Sequence, residues 1–371
     1  MWDVEGKKYV DWIAGISACN QGHTHPKIIK ALCDQAQKIC QPSRAFGSVE
    51  MGPFCEYFTQ LIGYDKFLPS SGGVEACESA CKLGRRWGYV VKGIEENKAN
   101  ILMAKRCFWG RSITAASGCN DPLRMKNFGP FTPGFPLVDY DDVEAIENYL
   151  KNDPNCAAVM LESIQGEAGV IIPQDGYLAK VKALCKKYNC LLITDEVQTG
   201  LGRTGKLMDY EWDLGEEKPD IVTLGKALSG GVTPVSGILA NADIMDTINP
   251  GEHGSTFGGN SLGMAVAKAA VQAIVEEGMV ENSLKMGTML KSELEAINSP
   301  HIKELRGRGL LIAMQLNEDK GFMLENLLRQ SGILTKPSNA KVIKFTPPLV
   351  ITEAQVEESV NIFKKCLNDL N

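Results

Sequence analysis

Two apolar runs inside residues 191–231, LLITDEVQTGLGRTGKLMDYEWDLGEEKPDIVTLGKALSGG, limit the fold more than any other part of the chain. Leu191–Thr194 and Ile221–Leu224 are strong β formers set between turn residues, the pattern of buried strands. The first run ends on a carboxylate, Asp195, and an amine, Lys226, follows the second. In an open α/β sheet ligands sit outside the carboxyl ends of the strands, so an acid and an amine there face one crevice. An Asp held against a pyridine nitrogen keeps that nitrogen protonated, and a Lys forms a Schiff base with an aldehyde. Those are the two demands of pyridoxal phosphate. An Asp-Glu pair at a strand end also suits a helix cap, and a Lys after Gly a solvated loop, so these two residues leave both readings open.

The flanking sequence narrows the choice. From Val143 the pattern predicts a helix to about residue 151, a strand over 157–162, a loop SIQGEAGV, a helix over 177–188 and then the first of the two runs. Strand and helix taking turns imply a largely parallel sheet covered on both faces. Glu162 and Glu167 fall at or beyond a strand's carboxyl end, where they are either functional or idle loop acids. Upstream, LPSSGGV (68–74) is read as a turn into a helix over 75–87. Small residues there leave backbone N–H groups free for an anion, which makes Gly73 and Val74 a candidate phosphate cradle; a plain N-cap by Ser70 or Ser71 reads equally well. After a strand over 101–104, Phe108-Trp109-Gly110-Arg111 offers aromatic faces for a planar ring and a guanidinium for a carboxylate. Ser255 and Thr256, in GEHGSTFGGN, offer hydroxyls to a second edge of a phosphate.

The remaining segments frame that centre. Residues 2–4 and 8–12 read as short strands, NQGHTHP as a loop, and helices are predicted over 26–40, 49–61, 262–277 and 353–370. His23 and His25 read as hydrogen-bonding loop residues, and 118–136, rich in Gly, Pro, Asn and Asp, as a long surface loop. Residues 263–371 alternate helix and strand, as a smaller α/β unit would.

Composition excludes several classes. With 371 residues and a net charge of -6, bases and acids mixed, the chain has no basic surface for nucleic acid or an anionic membrane. Small molecules and another subunit are the expected partners. Twelve cysteines fall singly with no C-x-x-C pair, and four histidines form no H-E-x-x-H, so free thiols in a reducing, cytoplasmic setting are expected and no metal. No run approaches the roughly 18 apolar residues of a membrane span. Two motifs inside the central stretch fail on context. Gly200-x-Gly202-x-x-Gly205 neither follows a strand directly nor opens a helix, and Gly225-Lys226 lacks both the first glycine and the final hydroxyl of a P-loop.

Taken together, WDVEGKKY, NQGHTHP, GVEACESACKLGRRWGY, FWGR, IQGEAGV, DEVQTGLGRTG, LGKALSGG, GEHGSTFGGN and TPPLVI resemble the class III pyridoxal-phosphate aminotransferases of fold type I, most closely their ornithine-acting branch, along essentially the whole chain. The resemblance implies an α/β fold with a large cofactor-binding domain over 46–262, whose central sheet is mostly parallel. It also implies a smaller domain over 263–371 joined by residues 1–45. By residue, it implies that Lys226 carries the cofactor and moves the proton, and that Asp195 holds the ring nitrogen. Gln198 would bond the ring hydroxyl, Phe108 and Val197 sandwich the ring, and Gly73 and Val74 bind the phosphate. Thr256, beside Ser255, would reach the phosphate of a partner subunit, hence a homodimer. Ile16, Trp109, Arg111 and Glu162 would line the substrate pocket, and Glu167 would gate it against a cation at position 344.

The implied reaction moves the terminal amino group of L-ornithine to 2-oxoglutarate, giving glutamate 5-semialdehyde and glutamate. Departures keep alternatives in play. The gate cation is Lys344 where the family has an arginine, so a point charge replaces a bidentate fork. Ile16 stands where a tyrosine is usual, Gly72 replaces a hydroxyl residue, and Ser163 and Ser261 replace prolines. The family's first segment, with a further pocket tyrosine and any targeting sequence, is expected to be missing ahead of Met1. The rival readings are a related ω-aminotransferase acting on 4-aminobutyrate or acetylornithine, and a catalytically degenerate paralogue.

Overall fold

The computed structural model describes residues 1–43 and 45–370. A seven-stranded sheet carries the fold. Its strands are β1 (Lys66–Ser70), β2 (Asn100–Ala104), β3 (Leu137–Val138), β4 (Cys156–Glu162), β5 (Leu191–Asp195), β6 (Ile221–Leu224) and β7 (Ser236–Ala240). In space they run β1-β7-β6-β5-β4-β2-β3, and every neighbouring pair is parallel except the two that β7 makes. The buried strands divide their side chains by the two-residue period. Val159, Leu161, Leu192, Val222 and Leu224 join one apolar core, while Ala158, Met160, Leu191, Ile193 and Ile221 join another on the opposite face. A sheet buried on both faces needs no polar alternation, which is why these strands read as continuous apolar runs.

One helix matters most for the site. α1 (Gly73–Val90) packs Ala76, Ala80, Leu83 and Trp87 onto the second core. Its approach to the sheet is close: a Cβ at Gly84 would touch Ala158, Ile101 and Ile193 at 3.4 Å, and one at Gly88 would press Ala157 at 2.7 Å. Further along the chain, β8 (Ile302–Arg308), β9 (Leu311–Leu316), β10 (Lys336–Asn339) and β11 (Val342–Phe345) form an antiparallel sheet in the order β10-β11-β9-β8. It docks on the loop after β4, where Ile164 and Val170 pack with Leu311, Ala313 and Val342. Arg306 Nη2 also donates to Gly169 O at 2.8 Å. That seam brings β11, with Lys344, over the carboxyl ends of the large sheet. Among the described residues no helix is long and apolar enough to cross a membrane.

The structure differs from the sequence reading at several places. LPSSGGV is a turn only from Ser71 on, because Lys66–Ser70 is an edge strand, antiparallel to β7. Pro69 hides it from a pattern reading, and an edge position tolerates the missing N–H. The helix predicted over 26–40 stops at Ala36, and the opening strands reduce to a Trp2–Lys8 bridge and Val10–Asp11, parallel to Ile333–Leu334. The surface loop over 118–136 includes a helical turn at Pro122–Met125. His23 and His25 make the hydrogen bonds expected of them, to Asp11 at 2.7 Å and Glu277 at 3.1 Å.

Nothing in the sequence announced the backbone of 14–17. Ala14, Gly15, Ile16 and Ser17 all have left-handed φ, from 46° to 64°. Each non-glycine in that conformation costs about 1–2 kcal/mol, so the surroundings must hold it. Asp11 Oδ1 accepts from the N–H groups of Ile13 and Ala14 at 2.8 and 3.0 Å, and the Thr346 hydroxyl donates to Ile13 O at 2.9 Å.

Candidate active site

Three polar residues stand in one row at the carboxyl ends of three adjacent strands. Glu162 pairs in register with Asp195, and Asp195 with Thr223. Lys226 follows three residues on, opening a short 3-10 turn at Lys226–Ser229 with a left-handed φ of 43°. A cavity of about 200 Å³ opens over this row, lined by Gly73, Val74, Phe108, Trp109, Glu162, Glu167, Asp195, Val197, Gln198 and Lys226 among others. Ten of the expected site residues therefore share one enclosure.

The bland reading of the cradle fails on geometry. α1 begins at Gly73 with Gly72 as N-cap and no side-chain cap, and the Ser71 N–H is taken by Glu75 Oε2 at 2.7 Å. The first helical N–H groups are left to face outward, an anion site by geometry and dipole. Close contacts explain the glycines here: a Cβ on Gly73 would meet Val197 Cγ1 at 3.0 Å, and Gly110, at φ 140°, would drive one into Val74.

The carboxylates occupy unlike environments. Asp195 is fully enclosed, and burial raises its carboxyl against donors that favour the charged form: the Val197 N–H and the Thr223 hydroxyl, each 3.0 Å from Oδ1, then Lys226 and the Cys77 thiol. Glu162 accepts from the N–H groups of Phe108 at 3.0 Å and Gly166 at 3.3 Å; burial, with Asp195 beside it, pushes it up to about 8. Burial would raise Glu167 also, but Lys344, with Lys226 and Lys336 behind it, overrides that and holds the carboxyl at about 2. Lys344 Nζ donates to Glu167 Oε1, an ion pair on a carboxylate that lines the cavity. Lys226 is brought down to about 8 by burial, with Glu167 opposing and Lys344 assisting. An amine poised there is a usable nucleophile near neutral pH, which an ordinary lysine is not.

Several buried polar atoms in this enclosure lack a partner. Gln198 donates to Glu167 at 3.3 Å through Nε2, yet its Oε1 and the Trp109 Nε1 are buried with no hydrogen bond. Asp195 Oδ2, by contrast, accepts a long hydrogen bond from the thiol of Cys77, at 3.5 Å. Orphaned groups of this kind are costly unless a ligand satisfies them. A planar cationic heterocycle with a ring hydroxyl and a phosphate arm matches them: Asp195 for the ring nitrogen, Gln198 for the hydroxyl, the N–H groups at Gly73 for the phosphate. The donor set fits pyridoxal phosphate.

Other expected residues lie elsewhere. Arg111 is exposed and does not line the cavity, and Ile16 sits in the left-handed turn outside it. The Phe108 ring carries the Arg124 guanidinium 4.7 Å from its centroid. Ser255 and the exposed Thr256 line a separate surface hollow with Gln41, Pro42 and Ser43. Sequence reasoning missed Cys77 and Thr223. The first was findable as the residue one helical turn after Gly73, on the same face; the second only through strand register.

Comparison with known proteins adds the lineage of this arrangement. The family model described as aminotransferase class-III matches residues 1–367. The mitochondrial ornithine aminotransferase of Drosophila melanogaster is 51% identical over 368 residues, which cover 99% of this chain and 85% of that one. A structure of the ornithine aminotransferase from Toxoplasma gondii, described as showing partial occupancy of PLP at the active site, superposes with a TM-score of 0.97 at 44% identity, covering 100% of this chain and 88% of that one. The acetylornithine aminotransferase of Elizabethkingia anophelis superposes with a TM-score of 0.90, also at 44% identity, covering 99% and 91%.

Proposed function

The chain belongs to the class-III aminotransferases, and from that premise we propose that it transfers the terminal amino group of L-ornithine to 2-oxoglutarate, with pyridoxal phosphate as cofactor. The observation that carries the reading is the enclosure lined by Lys226, Asp195 and Glu167, with Glu167 paired to Lys344. The cofactor, once bound, supplies an electron sink for the bond to be broken at the amino-bearing carbon. Everything else falls to the protein.

Lys226 is the residue that would hold the cofactor, and its amine, fixed by the 3-10 turn, would take and return the proton at the reacting carbon. Asp195 would keep the ring nitrogen protonated, Gln198 would meet the ring hydroxyl, Phe108 and Val197 would hold the ring faces, and the Gly73 and Val74 N–H groups would hold the phosphate. Trp109 and Glu162 bound the substrate side. Glu167, ionised throughout the neutral range, would stay paired with Lys344 when an ω-amino donor binds, and Lys344 would turn to the carboxylate of a glutamate donor. Arg111 and Ile16, substrate contacts by resemblance, lie outside the cavity lining.

A second copy of the chain belongs to this reading, because the half-buried Ser255 and the exposed Thr256 line a separate surface hollow and not the cavity of their own chain. Twelve free cysteines, nine of them buried, suit a reducing compartment such as the cytoplasm. A second substrate reading, acetylornithine or 4-aminobutyrate, draws support from Lys344, whose single charge grips a carboxylate less firmly than a guanidinium. Half-reactions separate them. The yellow holoenzyme is mixed with each amine alone, and ornithine is expected to bleach it fastest; bleaching by 4-aminobutyrate or acetylornithine but not by ornithine would discard the proposed donor.

A further inference from the structure

Asp195 has donors of its own that the reaction scheme does not use. The Thr223 hydroxyl, at the paired position of the next strand, donates to Oδ1 at 3.0 Å. From the other side the Cys77 thiol, one turn into the helix that starts at Gly73, reaches Oδ2 at 3.5 Å and the Thr223 hydroxyl at 3.7 Å. Both residues are buried, Thr223 fully. Packing gives no reason for a hydroxyl at 223, where valine would have nearly the same shape, and a polar group buried there costs about 1–3 kcal/mol unless it is bonded. Both side chains direct their hydrogen toward the same carboxylate.

We propose that Thr223 and Cys77 are positioning residues that keep Asp195 ionised and oriented, so that the shared proton stays on the ring nitrogen of bound pyridoxal phosphate and does not pass to the carboxylate. The proposal rests on the cofactor reading above. Away from water, a carboxylate facing a pyridinium has two states: an ion pair, or a neutral acid beside a neutral ring. Burial favours the neutral pair because it disfavours charge, and donors to the carboxylate favour the ion pair. The Val197 N–H supplies one such donor at 3.0 Å, and Thr223 and Cys77 supply the others. Only the protonated ring draws electrons strongly, so these two side chains set the strength of the sink from behind the residue that touches it.

The test uses holoenzyme reconstituted with cofactor labelled with 15N in the ring. Wild type is expected to show the ring nitrogen resonance of the protonated form. Thr223→Val and Cys77→Ala, singly and together, move that resonance toward the unprotonated position and weaken cofactor retention about tenfold for the pair; Thr223→Ser and Cys77→Ser, which keep a donor, stay with wild type. Variants that keep the wild-type resonance and lose only thermal stability overturn the assignment, and the single variants decide it if the double variant does not fold. The ornithine half-reaction run on the same wild-type sample reports on the proposed activity separately: a wild type that reacts while every variant keeps the protonated resonance overturns this assignment alone, and a wild type that takes up no cofactor overturns both.

Discussion

At the scale of single residues, the site is a set of charges whose burial pulls them toward neutrality and whose neighbours pull some of them back. Lys226 is the case with the clearest consequence. Burial brings its amine down to about 8, Glu167 opposes that shift and Lys344 assists it. Below pH 8 the amine is protonated and cannot attack an aldehyde; above it the free amine predominates. Capture of pyridoxal phosphate by the cofactor-stripped protein, trapped with borohydride, should therefore rise with pH around a midpoint near 8, where an ordinary lysine would rise near 10.4. Lys344→Met removes a cation and leaves Glu167 unpaired beside Lys226, and both changes favour the protonated amine. The midpoint should move up; a midpoint unchanged or lowered would contradict the electrostatic account. The sequence exposed Asp195 and Lys226 because each follows an apolar run. It hid Thr223, which looks like any β-branched strand residue until register sets it opposite Asp195, and it hid the uncapped state of the helix at Gly73, since serines stand beside it.

At the scale of elements, the loop 200–205 shows how the parts are locked. Arg203 is fully buried, with Nη1 donating to Leu310 O at 2.9 Å and Pro347 O at 2.6 Å, and Nη2 to Asn20 Oδ1 at 2.5 Å. One guanidinium thereby ties the loop after the Asp195 strand to the N-terminal segment, to the β8–β9 turn and to the segment after β11. The glycines that looked like a dinucleotide fingerprint make room for this: Gly202 and Gly205 have φ near 87°, and a Cβ on Gly205 would press Leu284 at 2.9 Å. Arg203→Met leaves two carbonyls and an amide oxygen buried and unbonded, a loss of about 3 kcal/mol or more. The urea midpoint should fall clearly, and cofactor binding should fall less than stability does; an unchanged midpoint would mean that the tie is not structural. Alternation of strand and helix made the large sheet legible. The edge strand β1 was not, because its proline and the small residues after it carry a turn signature, and the left-handed turn at 14–17 was not, because its sequence AGIS has only one glycine to suggest it.

At the scale of the whole molecule, the proposed second copy can be argued from surface chemistry. Residues 40–43 and 45–51 lie beside 255–261: Gln41 Nε2 donates to Thr256 O, and the hydroxyls of Ser48 and Ser261 are 2.9 Å apart. On them Phe46, Val49 and Phe257 are exposed by 72%, 80% and 60%. Exposed apolar side chains on segments that lie together mark a surface a partner would cover, and the exposed Thr256 lies outside its own chain's cavity. A two-fold contact would cover each patch with its counterpart and carry each Thr256 toward the other copy's phosphate cradle, since a two-fold interface brings the same surface from both sides. Phe257→Asp would set a charge in each half of that contact. Sedimentation should then shift from dimer to monomer, and retention of the cofactor should drop with it, although Phe257 does not line the cavity. If the wild-type protein sediments as a monomer while holding its cofactor fully, the patch serves another purpose and each site is complete within one chain.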